Sequence, residues 1–473
     1  MTSFTSQDKE FERCSLSAYS GYKSLNNVDV SLSELAVLLG PNAVGKSNFL
    51  DALQLFAKLA TSRTLKEAFE PPYRGKPLES FTFGKEGMKG LLAQERLSFS
   101  IEADVRLSPA IVNAVNRQIK DMKRAGQPEP KSLTPEEAGA AVLAVREGSP
   151  GYQTAKETDR GLSPVRERNL RYRIEIALSP RTGLLQVVDE YLAALNETGE
   201  PTGKRKPFLS RKGNRLHLRL EGQAHPMYYE RFLDHSILSL PHYPPHYPHL
   251  VAMRQELESW LFFYFEPRER MRAANPVKEV RHIGLMGEEL AAFLNTLKAL
   301  DLPQFQAVER AVRTILPNID GIDVEVNELG EVELKLREAG IPMPARVLSE
   351  GTLRILGLLA LTGAKEAPAL IGFEEPENGV HPRRIQLIAE LLKTRAALKE
   401  TQYIVTTHST LLPDLIPDES LYVFRKVAGE TEIRPFQAWG LLAKQQEIEA
   451  SLDGRGEPEL MISERILRGD FDA

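Results

Sequence analysis

The chain has 473 residues, with 60 basic against 65 acidic side chains, a formal net charge of -5 at pH 7, 42% hydrophobic residues and 26% charged ones. That length predicts two or three lobes with ample core, and the mild negative charge excludes capture of nucleic acid by global attraction, leaving only local patches. The lone cysteine, Cys14, excludes an internal disulfide and any multi-cysteine zinc site. Apolar runs fall well short of the roughly 20 residues that span a bilayer. The first ten residues lack the apolar core of a signal peptide, so a cytoplasmic protein is expected.

In chain order, residues 11–33 predict two short strands joined through Gly21 and Lys23. Residues 35–39 are a continuous apolar run, which predicts a buried strand. The next segment, GPNAVGKSN at residues 40–48, leads into a helical pattern from Phe49. Residues 61–89 are rich in loop formers, and 97–105 alternate as a strand with one wet face. Helical signals follow from Ser108 to about Arg146, interrupted by a Pro/Gly linker at 126–130, and 148–164 is a polar stretch. Alternation resumes at 170–178, 184–192 and 215–220, which predicts an antiparallel sheet. Residues 250–316 read as mostly helical, and 322–326 with 332–336 as a hairpin. From 353 onward helix and strand alternate, as in a parallel sheet flanked by helices.

Residues 40–47 fit the pattern G-x-x-x-x-G-K-S, in which a glycine loop between strand and helix turns backbone N–H groups toward phosphates. Lys46 is placed to reach the β- and γ-phosphates and Ser47 to hold Mg²⁺. Far downstream, an apolar strand at 369–373 runs into Glu374 and Glu375. Paired carboxylates at the carboxyl end of a strand stand where α/β sheets bind ligands. One would serve Mg²⁺ and the other the attacking water, although alone the pair reads equally as a solvated acidic turn. A further strand at 403–406 ends near His408, which is expected close to the γ-phosphate. Ser349, at the start of an apolar helix, offers a hydroxyl beside free backbone N–H groups.

Together these motifs make the chain similar to an ATP-binding-cassette ATPase of the RecF/SMC-like branch, often described as AAA-family predicted ATPases. The resemblance lies in the GxNxxGKSN loop, in LSEGTLR at 348–354 as the signature, in FEEPENGVHP at 373–382 as Walker B and D-loop, and in Thr407, His408 and Ser409 as the switch. The segment 287–294 also resembles a helix common in these ATPases. The resemblance implies an α/β fold: an ABC-type P-loop head with a mixed sheet, an antiparallel β-subdomain and a helical insertion. Its expected divisions are 1–105 (first lobe with the P-loop), 106–165 (helical insertion or linker), 166–222 (antiparallel part of the first lobe), 223–320 (helical) and 321–473 (second lobe). It also implies ATP and Mg²⁺ as cofactors. Lys23, Gly40, Asn42, Gly45, Lys46, Ser47 and Asn48 would contact the nucleotide, with Ser47 and Glu374 at the metal. Glu375 and His408 would be catalytic, and Ser349, Gly351 and Asn378 would act across a dimer. Glu374 stands where the wider family has aspartate.

The resemblance implies a homodimer or higher oligomer closing on ATP, which regulates DNA or a separately encoded effector such as a nuclease, in anti-phage defence or genome maintenance. An interaction scaffold that binds ATP with little turnover is the alternative. A basic stretch at Lys204, Arg205, Lys206 and Arg211 is a candidate DNA contact, since each cation placed on a phosphate releases counterions; it reads equally as a solvated loop. His242, His246 and His249 have ligand-like spacing, but the intervening prolines argue against a metal site.

Overall fold

The structure is a computed structural model that describes residues 14–125, 165–203, 205–221, 227–230, 232–361, 367–438, 461–469 and 471. The linker expected at 126–130, the helix expected near 134–146, the polar stretch 148–164, and Lys204 lie outside the described residues.

Three sheets organise the described residues. The central one has six strands in the order Trp260–Phe263, Leu370–Glu374, Gln402–Thr406, Leu35–Leu39, Leu421–Val427 and Glu430–Pro435. The first five run parallel, and the last turns back as an antiparallel hairpin. These strands are apolar on both faces, as parallel strands covered on both sides must be. Ala36, Leu38, Leu370 and Ile404 point into one core, while Leu35, Val37, Leu39, Ile371, Phe373 and Val405 point into the other.

On the first face lies the helix Lys46–Thr61. It is buried nearly all round, because it is pressed between the central sheet and an eight-stranded antiparallel sheet. Phe49 meets Phe424 of the central sheet edge to face, and Phe56 touches both Tyr172 of the antiparallel sheet and Trp260 of the central one. The antiparallel sheet joins Cys14–Ser20, Val28–Leu32 and Leu97–Arg106 to Asn169–Leu178 and Leu185–Ala194, so residues distant in sequence close one layer. Its core is pinned by Glu190, fully buried, which accepts from the Tyr172 hydroxyl and from the Ile237 and Leu238 amides at 2.7–3.0 Å. The second face carries the helices Leu290–Leu300, Leu302–Ile315, Glu350–Leu361 and Pro382–Ala397, with a small sheet built on the hairpin Ile319–Val326 and Glu331–Glu338.

The reading of 250–316 as mostly helical is corrected in two stretches, and one of them, residues 264–289, forms turns and loop around the short strand Asn275–Pro276. After the helix Pro248–Glu258 the chain forms Trp260–Phe263, the edge strand of the central sheet. Four apolar residues directly after a helix carry no period of their own, and pairing with Leu370–Glu374 decides their state. No described helix is long and apolar enough to cross a membrane.

Candidate nucleotide site at the carboxyl edge of the central sheet

Register fixes the site. Thr406 pairs with both Glu374 and Leu38, so three parallel strands end level and deliver their following loops to one edge. The loop after Leu35–Leu39 needs glycine at two points. Gly40 has φ 143° and Gly45 φ 107°. A Cβ at Gly40 would run into the Phe424 carbonyl, and one at Gly45 into the Thr431 hydroxyl. Thr431 holds the loop from outside: its hydroxyl donates to the Val44 carbonyl at 2.7 Å and bonds the Ser24 hydroxyl at 2.8 Å. Asn48 donates to the same Ser24 oxygen at 2.8 Å, while Asn42 is exposed at the mouth of the loop.

Lys46 opens the helix and is 4% exposed, its ammonium donating to the carbonyls of Gly40 and Pro41 at 2.6 and 2.8 Å. Burial pulls its pKa down to about 8, against the opposing attraction of the Glu375 and Glu374 carboxylates. The Ser47 hydroxyl donates to Glu374 Oε1. Glu375 follows with φ 49°, a left-handed turn that leaves its amide donating to the Thr406 carbonyl at 3.0 Å. That turn sets Glu375 Oε1 3.4 Å from His408 Nε2, while Glu375 Oε2 accepts from the Asn378 amide at 3.3 Å.

Sequence reasoning passed over three residues here. Asp51, little more than a turn along the helix from Lys46, is buried and accepts from Lys23 Nζ at 2.7 Å and from Arg74 Nε at 3.0 Å. Lys23 is therefore an ion-pair partner of the helix. Arg74, from the loop-rich stretch, also reaches Glu374 Oε2 at 3.0 Å. Glu377 lies beneath the switch, accepting from the Thr407 hydroxyl at 2.6 Å and from the His408 and Ser409 amides at 3.3 and 3.2 Å. Asp51 lies within the helix that follows the glycine loop and could have been sought there; Arg74 sits in no motif.

Ser349 caps the helix Glu350–Leu361, accepting from the Thr352 amide at 3.1 Å. A Cβ at Gly351 would run into the Gly379 carbonyl, so this helix start touches the loop that carries Glu375 and Asn378. Ser349 itself is exposed and makes its hydrogen bonds within its own turn.

The donors suit the expected groups. A hydroxyl and a carboxylate are hard oxygen ligands, the kind Mg²⁺ takes when phosphates and water complete its shell. Among the described residues no group of three or more His, Cys, Asp and Glu could hold a metal. His249 is buried, its Nδ1 hydrogen-bonded to the Glu221 carboxylate at 2.7 Å and its Nε2 accepting the Arg166 and Glu167 backbone amides.

The basic stretch lies at the far end of the antiparallel sheet. Arg205 is ion-paired with Glu221 and Glu167 at 3.0 and 3.3 Å and lies over the Phe208 ring. Lys206 and Arg211 are exposed.

Residues 35–414 match the family described as "AAA domain, putative AbiEii toxin, Type IV TA system". No curated protein matches the chain. Among solved structures it is similar to an SMC head bound to the C-terminal winged-helix domain of ScpA, at 13% identity and a TM-score of 0.47, covering 90% of this chain and 98% of that one. It is similar also to the SMC head domain from Thermotoga maritima, at 13% and 0.39, covering 89% and 98%. A third is the Smc head with an extended coiled coil bound to the C-terminal domain of ScpA from Pyrococcus furiosus, at 12% and 0.44, covering 91% and 98%.

Proposed function

Since the chain belongs to the AAA-domain family matched over residues 35–414, we propose that it is an SMC/ABC-like P-loop ATPase that binds ATP with Mg²⁺ and hydrolyses it at the carboxyl edge of the central sheet. One observation carries the reading: Lys46, Ser47, Glu374, Glu375 and His408, drawn from three separate stretches of sequence, meet at that edge.

In this reading Gly40, Asn42, Gly45 and Asn48 shape and line the phosphate loop. Lys46, already desolvated, sets its charge against the phosphates once it leaves the Gly40 and Pro41 carbonyls. Ser47 and Glu374 hold Mg²⁺, which when bound offsets charge on the terminal phosphates. Glu375 orients the attacking water and accepts its proton. His408, held by the loop that Glu377 ties down, fixes the Glu375 carboxylate and faces the γ-phosphate. Lys23 steadies the helix that follows the phosphate loop through its ion pair with Asp51.

Ser349, Gly351 and Asn378 complete the site across a homodimer. The exposure of Ser349, and the contact between its helix and the catalytic loop, support that role. ATP then closes two heads in the cytoplasm, and the closure is read by a separately encoded effector such as a nuclease, or by DNA at Lys204, Arg205, Lys206 and Arg211, in anti-phage defence or genome maintenance. The alternative is a scaffold that holds ATP without turnover.

The test is nucleotide binding and phosphate release by the full chain. Wild type should bind ATP and release phosphate only with Mg²⁺. Lys46→Ala should lose both; binding undiminished in that variant would overturn the reading. Binding without phosphate release by wild type, with or without partner, would favour the scaffold.

A further inference from the structure

Arg74 bridges two carboxylates that belong to different layers. Its Nε and Nη2 lie 3.0 and 2.8 Å from Asp51 Oδ1, on the buried face of the helix Lys46–Thr61. Its Nη1 lies 3.0 Å from Glu374 Oε2 and 3.3 Å from Oε1, at the end of a central strand. Tyr264, just beyond the edge strand, presents its ring 5.5 Å from the guanidinium carbon. Asp51 is anchored: it is buried and also takes Lys23 at 2.7 Å. The arginine side chain is 39% exposed, against 15% for Glu374 and 5% for Asp51. One end of Arg74 is therefore fixed in the protein, and the other rests on Glu374 beside solvent.

Glu374 is thus engaged at both oxygens: Ser47 donates to Oε1, and Arg74 donates to Oε2 at 3.0 Å and to Oε1 at 3.3 Å. These two oxygen donors, Ser47 and Glu374, are the pair assigned above to the metal. A carboxylate cannot give the same lone pairs to a guanidinium and to a small dication, and two cations on one carboxylate repel.

We propose that Arg74 is an internal counter-ion that competes with the divalent cation for Glu374, so that metal loading and release of Arg74 from Glu374 are a single exchange. This rests on the ATP–Mg²⁺ reading. Asp51 and Tyr264 are the parking place: Arg74 keeps its bonds to Asp51 when Glu374 lets go, so the exchange costs one ion pair and leaves no buried carboxylate bare. Arg74 is a positioning residue. It keeps Glu374 aimed at Ser47 while metal is scarce, and it sets the metal concentration at which the site fills.

The experiment titrates Mn²⁺, followed by electron paramagnetic resonance, into full-length protein saturated with ADP and against an ADP-only blank, with thermal unfolding measured in EDTA alongside. Arg74→Met, which keeps the stem and removes the charge, should bind Mn²⁺ about tenfold more tightly, the effect of removing one nearby, partly screened cation. Arg74→Lys, which restores a charge, should return toward wild type. Placed in both backgrounds, Glu374→Gln should abolish the difference between wild type and Arg74→Met. Unchanged Mn²⁺ affinity in Arg74→Met, with only a lower unfolding temperature, would reduce Arg74 to a structural strut and overturn the proposal. So would a tenfold gain that persists with Glu374→Gln, because the ion would then sit elsewhere. Failure of the ATP reading shows separately, as wild type that does not bind nucleotide at any Mg²⁺ concentration.

Discussion

The Thr407 hydroxyl donates to Glu377 Oε1 across 2.6 Å, joining the loop after one central strand to the loop after its neighbour. Glu377 is 6% exposed, and burial raises its carboxyl above the usual carboxylate range despite the donors from Thr407, Ser409 and His408. Removing it in Glu377→Ala strands the buried Thr407 hydroxyl and takes an acceptor from the part-buried His408 and Ser409 amides, which should cost about 1–3 kcal/mol. His408 would lose its backbone anchor, so phosphate release should fall about tenfold or more while ATP affinity changes little. Denaturant unfolding with a parallel turnover assay checks both. Equal losses in binding and turnover would contradict the assigned role.

Lys46 gives the site a pH dependence with a definite sign. Its folded pKa of about 8 lies below the ordinary lysine value. The unfolded chain therefore holds more protons between about 8 and about 10.4, and stability rises with pH across that window. Nucleotide affinity should run the other way. Phosphates favour the ammonium, so binding above pH 8 requires proton uptake and weakens as pH climbs. Calorimetry at about pH 8.5 in buffers of different ionisation enthalpy should report that uptake, and binding heats that do not vary with the buffer would contradict it.

The motif residues were legible because each lies in a contiguous run whose chemistry depends on spacing: a glycine loop closing on Lys46 and Ser47, or an apolar strand ending in Glu374 and Glu375. The parallel sheet followed from alternating helix and strand. What escaped depends on tertiary pairing. Trp260–Phe263 is a strand only because Leu370–Glu374 lies beside it. Arg74 looks like any loop arginine until the fold sets it against Asp51 and Glu374. Glu377 is indistinguishable by sequence from its acidic neighbours, and only burial under Thr407 separates it.

The basic stretch divides under charge reversal. Lys206 and Arg211 are exposed, so Lys206→Glu with Arg211→Glu should leave stability within about 0.5 kcal/mol. If DNA is a partner, the pair should weaken its binding and flatten the salt dependence by about two charges. Arg205→Glu should also destabilise the fold, because it sets a second anion against Glu221, whose side chain is 2% exposed. Filter binding across a salt series separates these effects; an unchanged slope would remove DNA from this face.

A composite dimer predicts complementation. Mixing Lys46→Ala with Ser349→Arg, each inactive alone, should restore turnover, because one intact P-loop then faces one intact signature. Mixed dimers without activity, together with activity in a linked dimer carrying one Lys46→Ala half, would remove the composite site.

The most direct measurement is single-turnover hydrolysis by Glu375→Gln beside wild type, with ATP binding followed on the same samples. The amide keeps the shape of the side chain and its place beside Asn378 and His408 but cannot accept a proton from water. Binding should persist within a few-fold while phosphate release falls by about 10²-fold or more. Hydrolysis at the wild-type rate in Glu375→Gln would contradict the account.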